Sequence, residues 1–87
     1  MIPEKGKVLI DFYADWCGPC KGMNPILEQF KESSDVPLVK VNVDKESEIA
    51  QKFGIRSIPC FIVVEDGEEK IKKIGMQSLE QLKELVK

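Results

Sequence analysis

Two cysteines, Cys17 and Cys20, are the residues of this chain whose type and spacing could do chemistry. A thiol pair separated by two residues can close a small disulfide that forms and breaks reversibly. The intervening Pro19 lacks a backbone N–H, so it fits the first turn of a helix but not its interior. An apolar run over residues 8–13 precedes the pair and is typical of a buried strand. We therefore expect both thiols where a strand ends and a helix begins.

The predicted helix would act on the first thiol. Its apolar positions share the spacing of one helical face: Met23, Ile26, Leu27 and Phe30. A helix N terminus stabilises an anion by about 0.3–1 kcal/mol, and by up to ~2 kcal/mol in good geometry. A thiolate at Cys17 would gain only about threefold in attack rate, because intrinsic nucleophilicity falls as a thiol becomes more acidic. The larger expected benefits are a better leaving group and a stabilised reduced state.

Length and composition restrict the class of protein. The 87 residues suffice for one domain with a modest core, and 43% hydrophobic and 32% charged residues are typical of a soluble globular protein. A net charge of −2 gives no basic surface for nucleic acid. No apolar run approaches the ~20 residues that span a membrane, and residues 1–7 contain no apolar segment of a secretory signal. If the chain is complete, these features predict a cytoplasmic protein with no nucleic-acid or membrane partner.

The chain contains no histidine and three cysteines, which removes several kinds of site. Cysteine–histidine catalysis and histidine-containing metal sites are excluded. Tetrahedral zinc needs four ligands, and the pair plus Cys60 falls short of that number, so no metal is expected. An odd number of cysteines also argues against a disulfide framework and favours reducing surroundings with one reactive pair.

Periodicity predicts an α/β chain with the element order βαβαββα. The strands are expected at 8–14, 37–43, 60–65 and 69–74, and the helices at 18–33, 45–53 and 79–86. Pro25 predicts a kink in the first helix, and Asp66-Gly67 predicts a hairpin. Ser78 and Gln81 have the spacing of a capping box for the last helix. A helix between the first two strands implies a right-handed parallel unit.

The segment from Trp16 to Lys21 reads Trp-Cys-Gly-Pro-Cys-Lys and follows an Asp-Phe strand; it resembles the thioredoxin family. The resemblance extends from Val8 to the C terminus. It implies a thioredoxin-like fold in one domain over residues 1–87, without the N-terminal strand and helix that full-length members carry. The four-stranded mixed sheet would have the order 2-1-3-4, with strand three antiparallel to strand one and helices on its flanks.

The resemblance also implies an activity, the reduction of protein disulfides by dithiol exchange. Cys17 would be the attacking thiol and the more exposed of the pair, and Cys20 would resolve the mixed disulfide. The implied partners are disulfide-containing proteins and a recycling reductase, either similar to thioredoxin reductase or dependent on glutathione. No bound cofactor is needed, and the protein is expected to be a monomer.

Asp11 is a carboxylate within the apolar first strand. Burial without a partner raises the pKa of a carboxyl group, which suits a proton acceptor for Cys20, and the resemblance implies that role. The alternative is an edge position that faces solvent or a salt bridge. Lys40 matches the family's lysine near that aspartate and could stabilise its anion, although a solvated strand lysine is an equal alternative.

Pro59 matches the cis-proline that lies opposite the disulfide in the family. The resemblance implies that the backbone of Ile58 pairs with an extended substrate strand. A trans-proline that begins an edge strand is the alternative. The residues expected to form an apolar rim around Cys17 are Trp16, Gly18, Pro19, Ile58, Gly75 and Met76. Tyr13 replaces a common tryptophan and could equally belong to the core.

Two positions depart from the family pattern. Cys60 stands where threonine or serine is usual, and Ser57 replaces a common glycine. We expect Cys60 to be a buried small residue, with a regulatory or dimer-forming thiol as the alternative. The changes bear on substrate preference rather than on the dithiol chemistry.

Two other functions remain open from the sequence. The short length resembles that of a glutathione-dependent glutaredoxin, although Gly18 and Pro19 between the cysteines favour the thioredoxin reaction. A non-catalytic module that binds a metal or a partner is the second. A glutaredoxin would require glutathione as reductant, whereas a metal-binding module would contain a bound metal.

Overall fold

The computed structural model describes residues 2–87. The elements along the chain are β1 (Lys7–Tyr13), α1 (Gly18–Gly22), α2 (Asn24–Ser33), β2 (Leu38–Asn42), α3 (Ser47–Lys52), β3 (Cys60–Glu65), β4 (Glu68–Ile74) and α4 (Leu79–Leu85). The predicted element order is confirmed, except that the first helix is divided into two. The other boundaries lie within two residues of the predicted ones, which is the usual uncertainty of helix and strand ends.

The four strands form one mixed sheet in the order β2-β1-β3-β4, as predicted. β1 and β2 are parallel because a helical segment carries the chain back to the starting edge of the sheet. β3 is antiparallel to β1, and β4 is antiparallel to β3. The β3–β4 hairpin turns at Asp66 and Gly67, whose φ angles of 54° and 84° fit a tight two-residue turn.

The core lies on both faces of the central strands β1 and β3. One face packs against α2 and α4, and its buried residues include Leu9, Leu27, Phe30, Phe61 and Leu82. The other face packs against α3 and the loop that follows it, and includes Ile10, Phe12, Val41 and Ile62. Because successive side chains of a strand alternate in direction, β1 supplies residues to both clusters. Its continuous apolar run therefore reflects burial on both faces.

The prediction of a single helix over residues 18–33 with a kink at Pro25 is wrong in detail. The helix is interrupted at Met23, two residues before the proline. A proline cannot donate to the carbonyl four residues earlier, and its ring clashes with that group, so Pro25 disrupts the turn that begins at Lys21. The N–H of Met23 instead bonds to the carbonyl oxygens of Pro19 and Cys20, and its fully buried side chain anchors the junction.

The last helix begins with the predicted capping box. The Ser78 hydroxyl accepts a 3.1 Å hydrogen bond from the N–H of Gln81, and the Gln81 side chain accepts a 2.8 Å bond from the N–H of Ser78. Along this helix, Leu82 and Val86 are buried and Leu79 and Leu85 are half-buried. None of the helices within residues 2–87 has the length and hydrophobicity of a membrane span.

Candidate active site

The loops that carry the candidate residues meet at one edge of the sheet. β1, β2 and β4 run in the same direction and end at this edge, whereas the antiparallel β3 begins there. The loop over 14–17 follows β1, the loop over 43–46 follows β2, and the segment over 75–78 follows β4. The loop over 54–59 precedes β3. Sheet topology therefore brings together segments that lie at opposite ends of the sequence, such as those over 14–17 and 75–78.

Cys17 and Cys20 are joined by a disulfide at the start of α1, with their Cα atoms 5.2 Å apart. Cys17 is the N-cap of this helix, and its Sγ accepts a 3.1 Å hydrogen bond from the backbone N–H of Cys20. The expectation that Cys17 is the more exposed is wrong for this oxidised form, since the two residues are 4% and 5% exposed. Both sulfurs are shielded because the cysteines pack with Ala14 and the half-buried Ile58.

The turn between β1 and α1 explains how the pair reaches that position. The N–H of Cys17 donates to the carbonyl of Ala14 at 3.2 Å, which closes a tight turn after the strand. The carbonyl of Cys17 then accepts from Lys21 at 3.2 Å, which begins the helix. Pro19 lies in the first turn, where its missing N–H has no partner to lose.

Asp11 is 2% exposed, and its Oδ1 atom has no hydrogen-bond partner within residues 2–87. Burial raises the pKa of this carboxyl group from 3.8 to about 6, and the positive charge of Lys40 opposes the rise. Asp11 takes part in none of the ion pairs formed within the described residues. The expected burial and raised pKa are confirmed, whereas a catalytic role for Asp11 stays a prediction.

Lys40 is the β2 residue paired in register with Asp11 on β1. Its ammonium donates a 3.2 Å hydrogen bond to Oδ1 of Asn24 and lies 4.9 Å from the centre of the Tyr13 ring. Tyr13 is half-buried. One face of its ring contacts this cation, and the side chain also packs beside the disulfide. The structure therefore brings Lys40 next to Asp11, as predicted, but the ammonium is bonded to an amide oxygen.

Pro59 follows a cis peptide bond, as predicted, and begins the approach to β3. Its carbonyl accepts a 2.8 Å hydrogen bond from the N–H of Gly75, which ties this loop to the end of β4. Gly75 has a φ of 97°, a conformation that favours glycine. Within residues 2–87, neither backbone polar group of Ile58 takes part in a hydrogen bond. The pairing of these groups with an extended substrate strand stays a prediction.

The expected apolar rim is partly exposed. Trp16 is 70% and Met76 53% exposed, Gly18 and Pro19 are exposed, and Ile58 and Gly75 are half-buried. Pro59 is buried, so it adds little exposed surface to this rim. Its cis peptide bond instead sets the direction of the loop. A terminal methyl of Met76 lies close enough to Gly22 that a β-carbon at position 22 would be 3.3 Å from it. The side chain of Met76 therefore lies against the end of α1.

Three further residues at this edge were missed by sequence reasoning. The indole N–H of Trp16 donates a 2.8 Å hydrogen bond to the carboxylate of Asp44. Asn42 fixes that loop, because its side-chain oxygen accepts from the N–H groups of Asp44 and Lys45. The Asn-x-Asp pattern after a strand is a signal for such a turn, but it does not reveal the indole contact. Ile74, 60% exposed at the end of β4, was also missed.

Cys60 is 1% exposed and packs on the α3 side of the sheet with Phe12 and Ile62. It is the one free cysteine of the described residues. Burial raises the pKa of its thiol above the ordinary value. The expectation of a buried small residue at this position is confirmed. Within residues 2–87, no group of three or more histidine, cysteine, aspartate or glutamate side chains is arranged to hold a metal ion.

The thioredoxin family model matches residues 1–87. The chain belongs to the thioredoxin family. The thioredoxin of Mycoplasmoides gallisepticum is 48% identical over 88 residues, covering 100% of this chain and 88% of that protein. The thioredoxin of Bacillus subtilis is 45% identical over 85 residues, covering 95% of this chain and 82% of that protein.

Solved thioredoxin structures have the same fold as this chain. A variant thioredoxin from Halobacterium salinarum superposes with a TM-score of 0.89 at 37% identity, covering 95% of this chain and 74% of that one. The thioredoxin of Schistosoma mansoni gives a TM-score of 0.87 at 36% identity, covering 95% and 76%. Thioredoxin homology and the Cys17–Cys20 disulfide together identify the protein as a thiol–disulfide oxidoreductase, consistent with a protein-disulfide reductase.

Proposed function

We propose that Cys17 attacks an exposed disulfide in a protein substrate and that Cys20 resolves the mixed disulfide. The observation that carries this assignment is the hydrogen bond from the Cys20 N–H to Cys17 Sγ at the start of α1. In the reduced protein the same N–H would stabilise a thiolate on Cys17, whereas Cys20 lies one turn inside the helix. The negative charge therefore resides preferentially on the first sulfur.

The exchange proceeds in two balanced steps. The Cys17 thiolate forms a bond to one substrate sulfur, and the other substrate sulfur leaves as a thiolate. The Cys20 thiol then loses its proton and attacks Cys17 Sγ, which releases the second substrate thiolate. Two electrons have passed to the substrate, and Cys17 and Cys20 are left as the disulfide.

Asp11 accepts the proton that Cys20 releases. Support comes from its place on the face of β1 that packs against α2 and α4, since Asp11 lies two residues after Leu9 and shares that face. Its unpartnered oxygen and pKa of about 6 make it a base that is mostly ionised at pH 7 but still basic enough to take a proton. Lys40 moderates that basicity, since its charge favours the carboxylate.

The substrate docks as an extended strand against the loop that precedes β3. The N–H and C=O of Ile58 would form the main-chain pairs. The exposed indole of Trp16 and thioether of Met76 would cover the apolar side chains of the substrate on either side of the disulfide. Gly18 and Pro19 present no large side chain at the point of attack, and Pro59 and Gly75 hold the loop in place.

Beyond this chemistry, we propose that the protein acts as a monomer of one domain in the cytoplasm, in electron transfer and cell redox homeostasis. A reductase similar to thioredoxin reductase recycles the Cys17–Cys20 disulfide. Two parallel assays distinguish this partner from glutathione. Turnover with NADPH and thioredoxin reductase, but slow turnover with glutathione alone, is the expected result. Efficient turnover with glutathione alone would overturn the assignment.

The cysteine roles are tested by trapping. Cys20→Ser cannot resolve the mixed disulfide, so this variant should accumulate a covalent complex with a disulfide-containing protein such as insulin. Cys17→Ser should form no complex and lose disulfide reduction. Cys60→Ser is the matched control and should turn over as the parent does. A complex captured by Cys17→Ser but not by Cys20→Ser would show that the roles are reversed.

A further inference from the structure

Lys40 has a fixed ammonium although its side chain is exposed. Its Nζ is 3.2 Å from Oδ1 of Asn24 and 4.9 Å from the centre of the Tyr13 ring. These partners come from different elements, because Asn24 begins α2 and Tyr13 ends β1. An exposed lysine normally samples many rotamers in water. A hydrogen bond and a cation–π contact from two sides confine this ammonium to one place.

The place where the ammonium is held adjoins the reacting residues. A cavity of about 310 Å³ lies between α1, the start of α2 and β2, and its lining includes Cys20, Asn24, Lys40 and Tyr13. Asp11 is the register partner of Lys40 in the sheet. Lys40 therefore borders the same cavity as Cys20 and is paired across the strands with Asp11, the two residues that exchange a proton in the proposed mechanism.

We propose that Asn24 and Tyr13 are positioning residues, which hold the Lys40 ammonium at this cavity and through it set how readily Asp11 takes the proton of Cys20. This inference rests on the proposed function of Asp11. It adds two residues, Asn24 and Tyr13, whose effect on Asp11 is exerted through Lys40. Without them, the ammonium would spend more time in bulk solvent, and the buried carboxylate would lose part of its stabilisation.

The charged and titratable groups around Asp11 are few. Lys40 is paired with it from β2. The Cys60 thiol lies on the other face of the sheet, although the charge of Asp11 contributes to its raised pKa. Asp15 and Lys21 line the same cavity and are exposed, so solvent screens them. Lys40 is the cation that lowers the pKa of Asp11. Moving its ammonium should therefore move the titration of Asp11.

The test is an NMR titration of the Asp11 carboxyl carbon in the oxidised protein, where Cys17 and Cys20 do not titrate. Lys40→Met should raise the midpoint by roughly half a pH unit to one pH unit. Asn24→Ala should raise it in the same direction by about half as much. Gln29→Ala removes an amide from an exposed position of the same helix and should leave the midpoint unchanged.

A double-mutant cycle decides whether Asn24 acts through Lys40. In the Lys40→Met background, Asn24→Ala should have no further effect on the Asp11 midpoint. Tyr13→Phe keeps the ring and should behave as the parent, whereas Tyr13→Leu should raise the midpoint. An Asn24→Ala shift that persists without Lys40, or no shift in the parent background, would overturn the proposal.

The readouts separate this inference from the role on which it rests. The NMR midpoint reports on the Asp11 environment whether or not Asp11 is the base. If Asp11→Asn leaves the resolving rate unchanged while the midpoint responds as described, the positioning of Lys40 is correct and the catalytic role of Asp11 is wrong. If the resolving rate depends on Asp11 but Asn24→Ala does not shift its midpoint, the positioning role is wrong alone.

Discussion

At the scale of single residues, the site depends on groups whose ordinary chemistry is altered by their surroundings. Asp11 is the main example, because a carboxyl group that is 2% exposed, with one oxygen unpartnered, resists ionisation. The N–H of Cys20 acts in the opposite sense, since it is directed at Cys17 Sγ and favours negative charge there. Burial thus disfavours negative charge on Asp11, whereas the N–H at the start of α1 favours it on Cys17.

Replacing Asp11 by asparagine should slow the resolving step by roughly tenfold or more at pH 7, because the Cys20 proton loses its acceptor. The parent rate should also fall as the pH drops through about 6, where Asp11 becomes protonated, and the variant should lack this inflection. Single-turnover release of substrate from the mixed disulfide measures both. A variant rate equal to that of the parent would remove Asp11 from the mechanism.

The same substitution should increase stability at neutral pH. The native pKa of Asp11, about 6, exceeds the ordinary value of 3.8, so the protonated group favours the folded state below pH 3.8. That contribution is lost as the pH rises through 6. At about 1.36 kcal/mol per pH unit, the ionised carboxylate costs up to about 3 kcal/mol at pH 8.

Urea unfolding of Asp11→Asn and of the parent checks this pH dependence. The variant should be more stable by up to about 3 kcal/mol at pH 8, and the difference should shrink toward pH 4. The exposed carboxylate of Asp35 provides the matched control, and Asp35→Asn should change stability little at either pH. A gain that does not depend on pH would mean that burial of the charge is not its cause.

At the scale of elements, helix and strand termini position the chemistry. The break at Met23 leaves α1 as a five-residue helix, and the second terminus places Asn24 beside Lys40. The turn after β2 likewise places the carboxylate of Asp44 where it accepts a hydrogen bond from the indole N–H of Trp16. The hydrogen bond to Asp44 orients the indole of Trp16, although this side chain is 70% exposed.

The capping box of α4 offers a test of how an element contributes to stability. Ser78→Ala removes the acceptor for the N–H of Gln81 and should destabilise the protein by about 1 kcal/mol. Thermal or urea unfolding measures the difference. Ser33→Ala is the control, since its hydroxyl bonds back to the carbonyl of Gln29 and stabilises little. Equal effects of the two substitutions would show that the cap contributes nothing specific.

The sequence predicts most elements because their patterns are local. The apolar run of β1, the Asp66-Gly67 turn and the Ser78 cap each reflect interactions between neighbouring residues. The thiol pair and Asp11 are equally visible, since each stands out by type. The Lys40–Asn24 and Trp16–Asp44 contacts are not visible, because they join residues 16 and 28 positions apart. The similar burial of the two sulfurs was missed because it depends on how the loop at Ile58 packs over the disulfide.

At the scale of the whole molecule, the topology places the reactive groups at one edge of the sheet. The rest of the sheet forms the core and stabilises the fold. Cys60 shows the separation, because it lies at the same end of β3 yet is directed into the core on the α3 side. In the folded protein, Cys60 should therefore not react with alkylating reagents. Once unfolding exposes it, the thiol should react at the ordinary rate of a free cysteine.

Iodoacetamide should leave Cys60 unmodified in the native oxidised protein and modify it once the chain is unfolded. Intact mass measured over time, with and without denaturant, gives the result directly. Cys60→Ala is the control that fixes the background mass. Rapid modification under native conditions would show that this end of β3 opens, and would restore the alternative of a regulatory or dimer-forming thiol.

The most direct test of the central claim is a single turnover without any recycling reductase. Reduced protein is mixed with an equal amount of insulin, and the disulfides formed and lost are located by peptide mass spectrometry. Dithiol exchange predicts one insulin disulfide reduced for each Cys17–Cys20 disulfide formed, with Cys60 still a free thiol. Insulin reduction without formation of the Cys17–Cys20 disulfide, or a product disulfide that includes Cys60, would contradict it.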